Sequence, residues 1–284
     1  MKIKKICVLG AGAMGHGIAQ VCAQGGYEVS LRDLKEEFVQ GGMERIRKFF
    51  QGSVERKKLA REEADAVVSR ITGTTDLNEA AGDADLVIEA ATENLDAKKK
   101  IFKELDSICP PRTIFVSNTS YLSIAVFASV TQRADRFAGT HWFNPPQIMR
   151  GVEVIKAPKT SQETLDAVVK VIRKIGKEPG IVKDSPGFVV NRLLMVFYNE
   201  GLRLYGERVA GARDIDAAPK ADYGFRIGPL ELRDFTGLDL GLIAHEEIYS
   251  ETRREIFRPP DALIEKVRAG DLGRKTGRGF HDYS

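Results

Sequence analysis

The chain has 284 residues, 43% of them hydrophobic and 29% charged, with a formal net charge of +3. That length gives one large or two modest domains an ample core, and a charge so small and evenly spread argues against a nucleic-acid partner. No apolar run approaches the ~20 residues that span a bilayer, and a strand expected from residue 6 leaves no room for a secretory leader.

Ile6 to Leu9 predicts a buried parallel strand, halted at Gly10-Ala11-Gly12-Ala13-Met14-Gly15. Ile18, Ala19, Val21, Cys22 and Ala23 then recur at helical spacing. In such a turn the first glycine allows the tight bend, the second lets backbone N–H groups approach a pyrophosphate, and the third lets helix and strand pack closely. Tyr27 to Arg32 predicts the second strand, and Asp33 closes it 18 residues after Gly15 (33 − 15). An acid there hydrogen-bonds the adenosine ribose of NAD and repels the 2′-phosphate of NADP. The plainer alternative is an ordinary βαβ turn with an Asp that caps the next helix.

Residues 34–69 predict two amphipathic helices, more chain than a crossover needs, and so a helical hairpin inserted in the nucleotide domain. Within residues 45–61 lie Arg45, Arg47, Lys48, Arg56, Lys57, Lys58 and Arg61 against one acid, Glu55. This is either a solvated face or a surface for an anionic ligand tail. Strands are predicted at Ile71–Thr75, Asp85–Ala90, Thr113–Ser117, Phe137–Thr140, Val152–Ile155 and Pro179–Lys183. A helix is predicted over Leu95–Ile108 and another over Gln162–Gly176, with Thr160 and Glu163 spaced as a capping box. Ligands of open α/β sheets bind outside the carboxyl ends of strands, which places Glu93, Asn94, Asn118 and Ser120 at the cofactor edge. Asp184-Ser185-Pro186-Gly187 is a strong break. It divides a Rossmann-type dinucleotide-binding domain, residues 1–185, from an all-helical domain, residues 186–284. The helix predicted over Phe188–Gly206 is apolar on more than one face, as at a subunit or domain interface. Shorter helices are predicted around Asp214–Asp222, Leu230–Ile248 and Pro260–Ala269.

Four polar residues are expected near the nucleotide edge: Ser120, His141, Glu153 and Asn191. A histidine is the usual base for an alcohol proton, and a carboxylate on its other ring nitrogen fixes the tautomer. His16, His245 and His281 are weaker candidates. His245-Glu246 lacks the second histidine of an HExxH site, because residue 249 is Tyr, and no metal-ligand spacing occurs. Cys7, Cys22 and Cys109 lack CxxC spacing and are expected as buried thiols, which points to the cytoplasm or an organelle matrix.

Several of these motifs together resemble the L-3-hydroxyacyl-CoA dehydrogenases. They are the glycine loop through Ala19, Asn118-Thr119-Ser120, His141-Trp142-Phe143-Asn144-Pro145, Val152-Glu153-Val154-Ile155 and Asp184 to Arg192. Gly228-Pro229-Leu230-Glu231-Leu232, Thr236-Gly237-Leu238-Asp239 and the tail Gly273 to Phe280 belong to the same set, in order along nearly the whole chain. The resemblance implies reversible, NAD-linked oxidation of (S)-3-hydroxyacyl-CoA to 3-ketoacyl-CoA and an all-helical dimerising domain. It implies His141 and Glu153 as the catalytic pair, and Ser120 and Asn191 as substrate contacts. The implied cofactor positions are Gly10, Gly12, Ala13, Met14, Gly15, Asp33, Glu93, Lys98 and Asn118. The hairpin would help hold CoA, with Arg56 and Lys57 as its contacts. Three stretches depart from the usual wording: Trp142, Pro145-Pro146-Gln147, and Gly211 to Gly228 with its Arg226-Ile227-Gly228. A double proline also occurs in relatives that act on non-CoA hydroxy acids of the gulonate or carnitine type, the alternative reading. A cofactor-sensing protein without catalysis is the third, opposed by the intact polar residues.

Overall fold

A computed structural model describes residues 2–284. One compact unit ends at Asp184 and the other runs from Ser185 to Ser284.

The first unit is a sheet with helices. In chain order its elements are β1 (Lys5–Leu9), α1 (Gly15–Gln24), β2 (Glu28–Arg32), α2 (Glu36–Glu55), α3 (Arg61–Val68), β3 (Ile71–Thr74) and α4 (Leu77–Ala81). Then come β4 (Leu86–Glu89), α5 (Leu95–Ile108), β5 (Ile114–Ser117), α6 (Ile124–Ala128), β6 (Phe137–Trp142), β7 (Gly151–Lys156), α7 (Gln162–Lys174) and β8 (Glu178–Lys183). Among the described residues the sheet has eight strands in the order β3-β2-β1-β4-β5-β6-β7-β8. Neighbours are parallel except β6 and β7. The strand order reverses at β1, so the crevice between the carboxyl ends of β1 and β4 is the place for a ligand. The Rossmann-type reading of the sequence therefore holds, with β7 and β8 running opposite to the other strands.

Continuous apolar strands are what a sheet covered on both faces requires. Ile6, Val8, Leu31, Leu86, Ile88 and Val116 are buried together with Ile18, Ala19 and Cys22 of α1. Beneath the far end, Phe102, Phe115, Phe127 and Phe137 pack ring against ring at 4.6–6.1 Å. The hairpin α2–α3 also buries an apolar face, through Met43, Ile46, Phe50 and Ala64.

One local expectation is corrected here. Helix α7 is capped by Ser161, whose side chain accepts from the Thr164 N–H, and not by Thr160. The Thr160 hydroxyl donates instead to the Phe137 carbonyl, 2.6 Å away, and accepts from the Ala157 N–H, which ties the loop to β6. The short helices α4 and α6 have five residues each, too few for a periodic signal in the sequence.

The second unit is helical: α8 (Val190–Gly206), α9 (Ala212–Tyr223), α10 (Pro229–Thr236), α11 (Leu238–Thr252) and α12 (Asp261–Arg268). Leu202, Ile215, Leu230, Leu238, Leu263 and Phe280 form its core. The stretch predicted as one helix over Leu230–Ile248 is two, broken at Gly237, whose φ of +93° a helix cannot contain. Helix α8 starts two residues later than predicted, because Gly187 and Phe188 both lie in the left-handed region, at φ +71° and +52°. Its two apolar faces are unequal. Met195, Tyr198 and Leu202 are buried, whereas Leu193 is 66% and Val196 37% exposed in the single chain.

Candidate active site

The glycine turn is built for close approach. A Cβ on Gly15 would stand 1.6 Å from the Gly10 carbonyl oxygen, and one on Gly10 would stand 2.5 Å from that of Ala90, after β4. A Cβ on Gly12 would meet nothing within 4 Å, so the missing side chain leaves open space. Helix α1 begins there with no side-chain cap and no acid in its first turn, which leaves its N-terminal N–H groups for an anion. A cavity of about 620 Å³ opens beside the turn, lined by Gly10, Ala11, Gly12, Arg32 and Asp33, with Ala97, Lys100 and Ile101 also in its wall. The Asp33 carboxylate accepts from the N–H groups of Ala11 and Leu34, each at 2.7 Å. It does not cap α2, whose N-cap is Lys35. A loop with room at Gly12, an uncapped helix start and an acid in the cavity wall suit a dinucleotide.

The second feature is a histidine–carboxylate pair set by strand register. His141 on β6 lies directly opposite Glu153 on β7 in the antiparallel ladder. Side chains of directly paired residues leave the sheet on one face, about 5 Å apart at Cβ, so the register alone brings them together. His141 Nδ1 lies 2.7 Å from a Glu153 oxygen, and the residues are 4% and 5% exposed. A carboxylate only accepts, so Nδ1 carries the proton and Nε2 is the basic nitrogen of the neutral ring. Phe143 stacks edge-on against the imidazole at 4.8 Å. The Trp142 N–H donates to the Asn118 side-chain oxygen, which fastens the end of β6 to the end of β5.

A buried charge network stands at the ends of β4 and β5. Glu89 and Lys98 are both 0% exposed, and the ammonium of Lys98 lies 2.7 Å from each oxygen of Glu89. Glu89 also accepts from the Ser117 hydroxyl at 2.6 Å and from the Ala91 N–H at 2.8 Å, so its charge is amply hydrogen-bonded. The Lys98 ammonium lies 3.4 Å from Glu93. Glu93 in turn accepts from the Thr119 hydroxyl and the Ser120 N–H. Lys98, expected at the cofactor, thus lies between the carboxylates of Glu89 and Glu93. The sequence reading missed Glu89 and Ser117. Their signal was present as an acid and a hydroxyl that each end an otherwise apolar strand.

Arg56 and Lys57 are exposed where α2 ends, Lys57 at φ +54°. Arg45, Lys48 and Arg56 share one face of α2 at i, i+3 and i+11, a basic stripe about 16 Å long, whereas Arg47 faces away. Asn191 lies in the first turn of α8, in the second unit. Of the weaker histidines, His16 Nδ1 donates to the Gly12 carbonyl, and burial holds its pKa below the ordinary imidazole value. His281 Nε2 lies 2.6 Å from Asp216, and His245 is wholly buried among helices. Among the described residues, no three His, Cys, Asp or Glu side chains group to hold a metal ion. All three cysteines are buried, and burial raises the Cys22 thiol to about 12 and that of Cys109 to about 11.

Residues 5–185 match the family described as 3-hydroxyacyl-CoA dehydrogenase, NAD binding domain, and residues 187–283 match the C-terminal domain of the same family. A probable 3-hydroxybutyryl-CoA dehydrogenase from Bacillus subtilis is 44% identical over 283 residues, which cover 100% of this chain and 98% of that one. The mitochondrial hydroxyacyl-coenzyme A dehydrogenase of Sus scrofa is 41% identical, over 99% of this chain and 91% of its own. The crystal structure of (S)-3-hydroxybutyryl-CoA dehydrogenase from Ralstonia eutropha superposes with a TM-score of 0.97, at 42% identity over the full length of both chains.

Proposed function

From the premise that the chain belongs to the 3-hydroxyacyl-CoA dehydrogenase family, we propose that its substrate is a short-chain (S)-3-hydroxyacyl-CoA of the 3-hydroxybutyryl kind. The chain is an NAD-dependent oxidoreductase that interconverts 3-hydroxyacyl-CoA and 3-ketoacyl-CoA. Short acyl length is supported by the names of the Bacillus and Ralstonia relatives. The non-CoA alternative is not favoured by any of the three relatives compared.

The observation that carries the mechanism is the register pairing of His141 with Glu153. NAD supplies the hydride acceptor when bound. In oxidation, His141 takes the proton of the substrate hydroxyl at Nε2, and Glu153 stabilises the imidazolium through the Nδ1 hydrogen bond. Burial of the pair strengthens that attraction over what water would allow. Ser120 is assigned to the substrate oxygen, with its backbone steadied by Glu93. Asn191 is assigned the same task. Gly10 to Gly15 and Asp33 are assigned to the dinucleotide, with Glu93 and Asn118 at its edge. Arg56 and Lys57 are assigned to CoA phosphates, a reading supported by the exposed basic stripe on α2.

The exposed Leu193 and Val196 on α8 support a homodimer through the helical unit, which sedimentation at micromolar concentration tests directly. No described helix is long and apolar enough to cross a membrane, and a cytoplasmic setting is the companion proposal. The decisive assay follows NADH absorbance with acetoacetyl-CoA and, in parallel, with acetoacetate. Oxidation of NADH by the thioester alone is the expected result. Equal rates with the free acid would overturn the CoA assignment.

A further inference from the structure

We propose that Arg45, on the inserted hairpin, binds the pyrophosphate of the dinucleotide and so belongs to the cofactor site, not to the CoA surface that the rest of the basic stripe supports. The inference rests on the NAD-linked reading of the glycine loop.

Helix α2 meets that loop at contact distance. A Cβ on Gly42 would stand 2.9 Å from the Ala11 Cβ and 3.0 Å from its carbonyl oxygen, so the approach depends on residue 42 having no side chain. One turn on, Arg45 Nη2 donates to the Ala11 carbonyl at 2.7 Å. This fixes the guanidinium against the loop's own backbone. Cavities of about 620 and 490 Å³ flank the loop, and Gly12 and Arg45 are the residues that line both. The arginine therefore borders the open space that the missing Gly12 side chain leaves.

Among the described residues, Arg45 makes no ion pair with a carboxylate within 4 Å. The same cation helps to depress the pKa of His16, which donates to the neighbouring Gly12 carbonyl. One of the five guanidinium donors goes to Ala11, and the others match the oxygens of a phosphate group. The N–H groups at the start of α1 converge on the same place. Arg56, about 16 Å further along the stripe, has no such tie to the loop. CoA also carries a pyrophosphate, but the anchorage on the loop carbonyl favours the dinucleotide.

Calorimetric titration of ADP-ribose, adenosine and CoA into the wild type, Arg45→Met and Arg45→Lys tests this. Arg45→Met should weaken ADP-ribose about 10- to 100-fold, the worth of a charge-assisted hydrogen bond. Adenosine should bind as before, Arg45→Lys should recover part of the loss, and the loss should shrink as salt rises. Equal losses for adenosine and ADP-ribose would mean that Arg45 only holds α2 in place. A loss confined to CoA would hand the residue to the substrate. Unchanged ADP-ribose binding would sink the proposal while leaving the cofactor reading intact. Failure of the wild type itself to bind ADP-ribose would strike at the cofactor reading and the proposal with it.

Discussion

The two buried histidines, one in each unit, sit in surroundings of opposite sign. His141 is paired across a strand ladder with a carboxylate 2.7 Å away. His245, on α11, is 0% exposed; its Nδ1 lies 2.7 Å from the Gly241 carbonyl oxygen and its Nε2 lies against the Asn199 side-chain oxygen. Its charged neighbour is a cation, Arg233, 3.4 Å away. Burial first, and then Arg233, hold its pKa down to about 4. Both rings are desolvated, so burial alone does not make a base. A carboxylate partner lets an imidazole take a proton inside the protein, whereas a cationic neighbour forbids it.

The largest expected effect lies on the first ring. His141→Gln should lower kcat by about 10²- to 10⁴-fold, the usual worth of a general base. Glu153→Gln keeps the shape and removes the charge, and should cost roughly 10²-fold in kcat with little change in NAD affinity. Because the two act as a unit, the double variant should be scarcely slower than the worse single one. Steady-state kinetics on the four proteins, with folding checked by circular dichroism, measures this. Losses that multiply would mean that the residues act independently, and the contrast with His245 would lose its basis.

On the second ring the effect is on stability, and only in acid. The unfolded chain protonates His245 near the ordinary imidazole value, whereas the folded chain resists until about pH 4. Between roughly pH 6.5 and 4 the unfolded state therefore binds more protons, and stability falls as pH falls, by at most about 1.4 kcal/mol per pH unit from this group. Above that window the group costs nothing. His245→Gln cannot titrate, so its stability should decline less steeply over the same range in urea melts. Parallel slopes for the two proteins would show that the ring is protonated in the fold, as His141 is expected to be in catalysis.

How much of this was legible in the sequence differs between the units for a physical reason. In the sheet, each strand is a short apolar run with a polar residue at its carboxyl end, so Asp33, Glu93, Asn118 and Ser120 were placed by pattern alone. The pairing of His141 with Glu153 needed the antiparallel register, which two apolar runs do not specify; only the family resemblance supplied it. The Glu89–Lys98 pair escaped because nine residues and a loop separate two charges that meet only after α5 packs. In the helical unit, apolar periodicity ran through Gly237, and only the positive φ there shows that Leu230–Ile248 is two helices. Nor does periodicity show which of two apolar faces is covered within the chain; on α8 it is the face of Met195, Tyr198 and Leu202, whereas Leu193 is exposed.

Arg233 offers the smallest and sharpest test of the contrast between the rings. It is 6% exposed and, among the described residues, in no ion pair with a carboxylate; the Tyr198 ring lies 4.5 Å from its guanidinium carbon. Its hydrogen bond to Thr236 is long, 3.4 Å, the Nδ1 of His245 stands as far away, and its Nε has no partner among the described residues. Burial lowers even this guanidinium's pKa to about 10. A buried cation with such weak compensation contributes little, because its desolvation offsets what the ring of Tyr198 returns. Arg233→Met keeps much of the volume and removes both the charge and the unpaired donor. At neutral pH the unfolding free energy should change by no more than about 1 kcal/mol, in either direction. At pH 5 the variant should gain on the wild type, because loss of the neighbouring cation lets the His245 pKa rise and shortens the window in which acid destabilises the fold. Urea melts at pH 7 and pH 5 on both proteins read the difference. A variant that loses several kcal/mol at pH 7, or that loses ground further at pH 5, would mean that Arg233 is a working structural cation and that His245 owes its neutrality to burial alone.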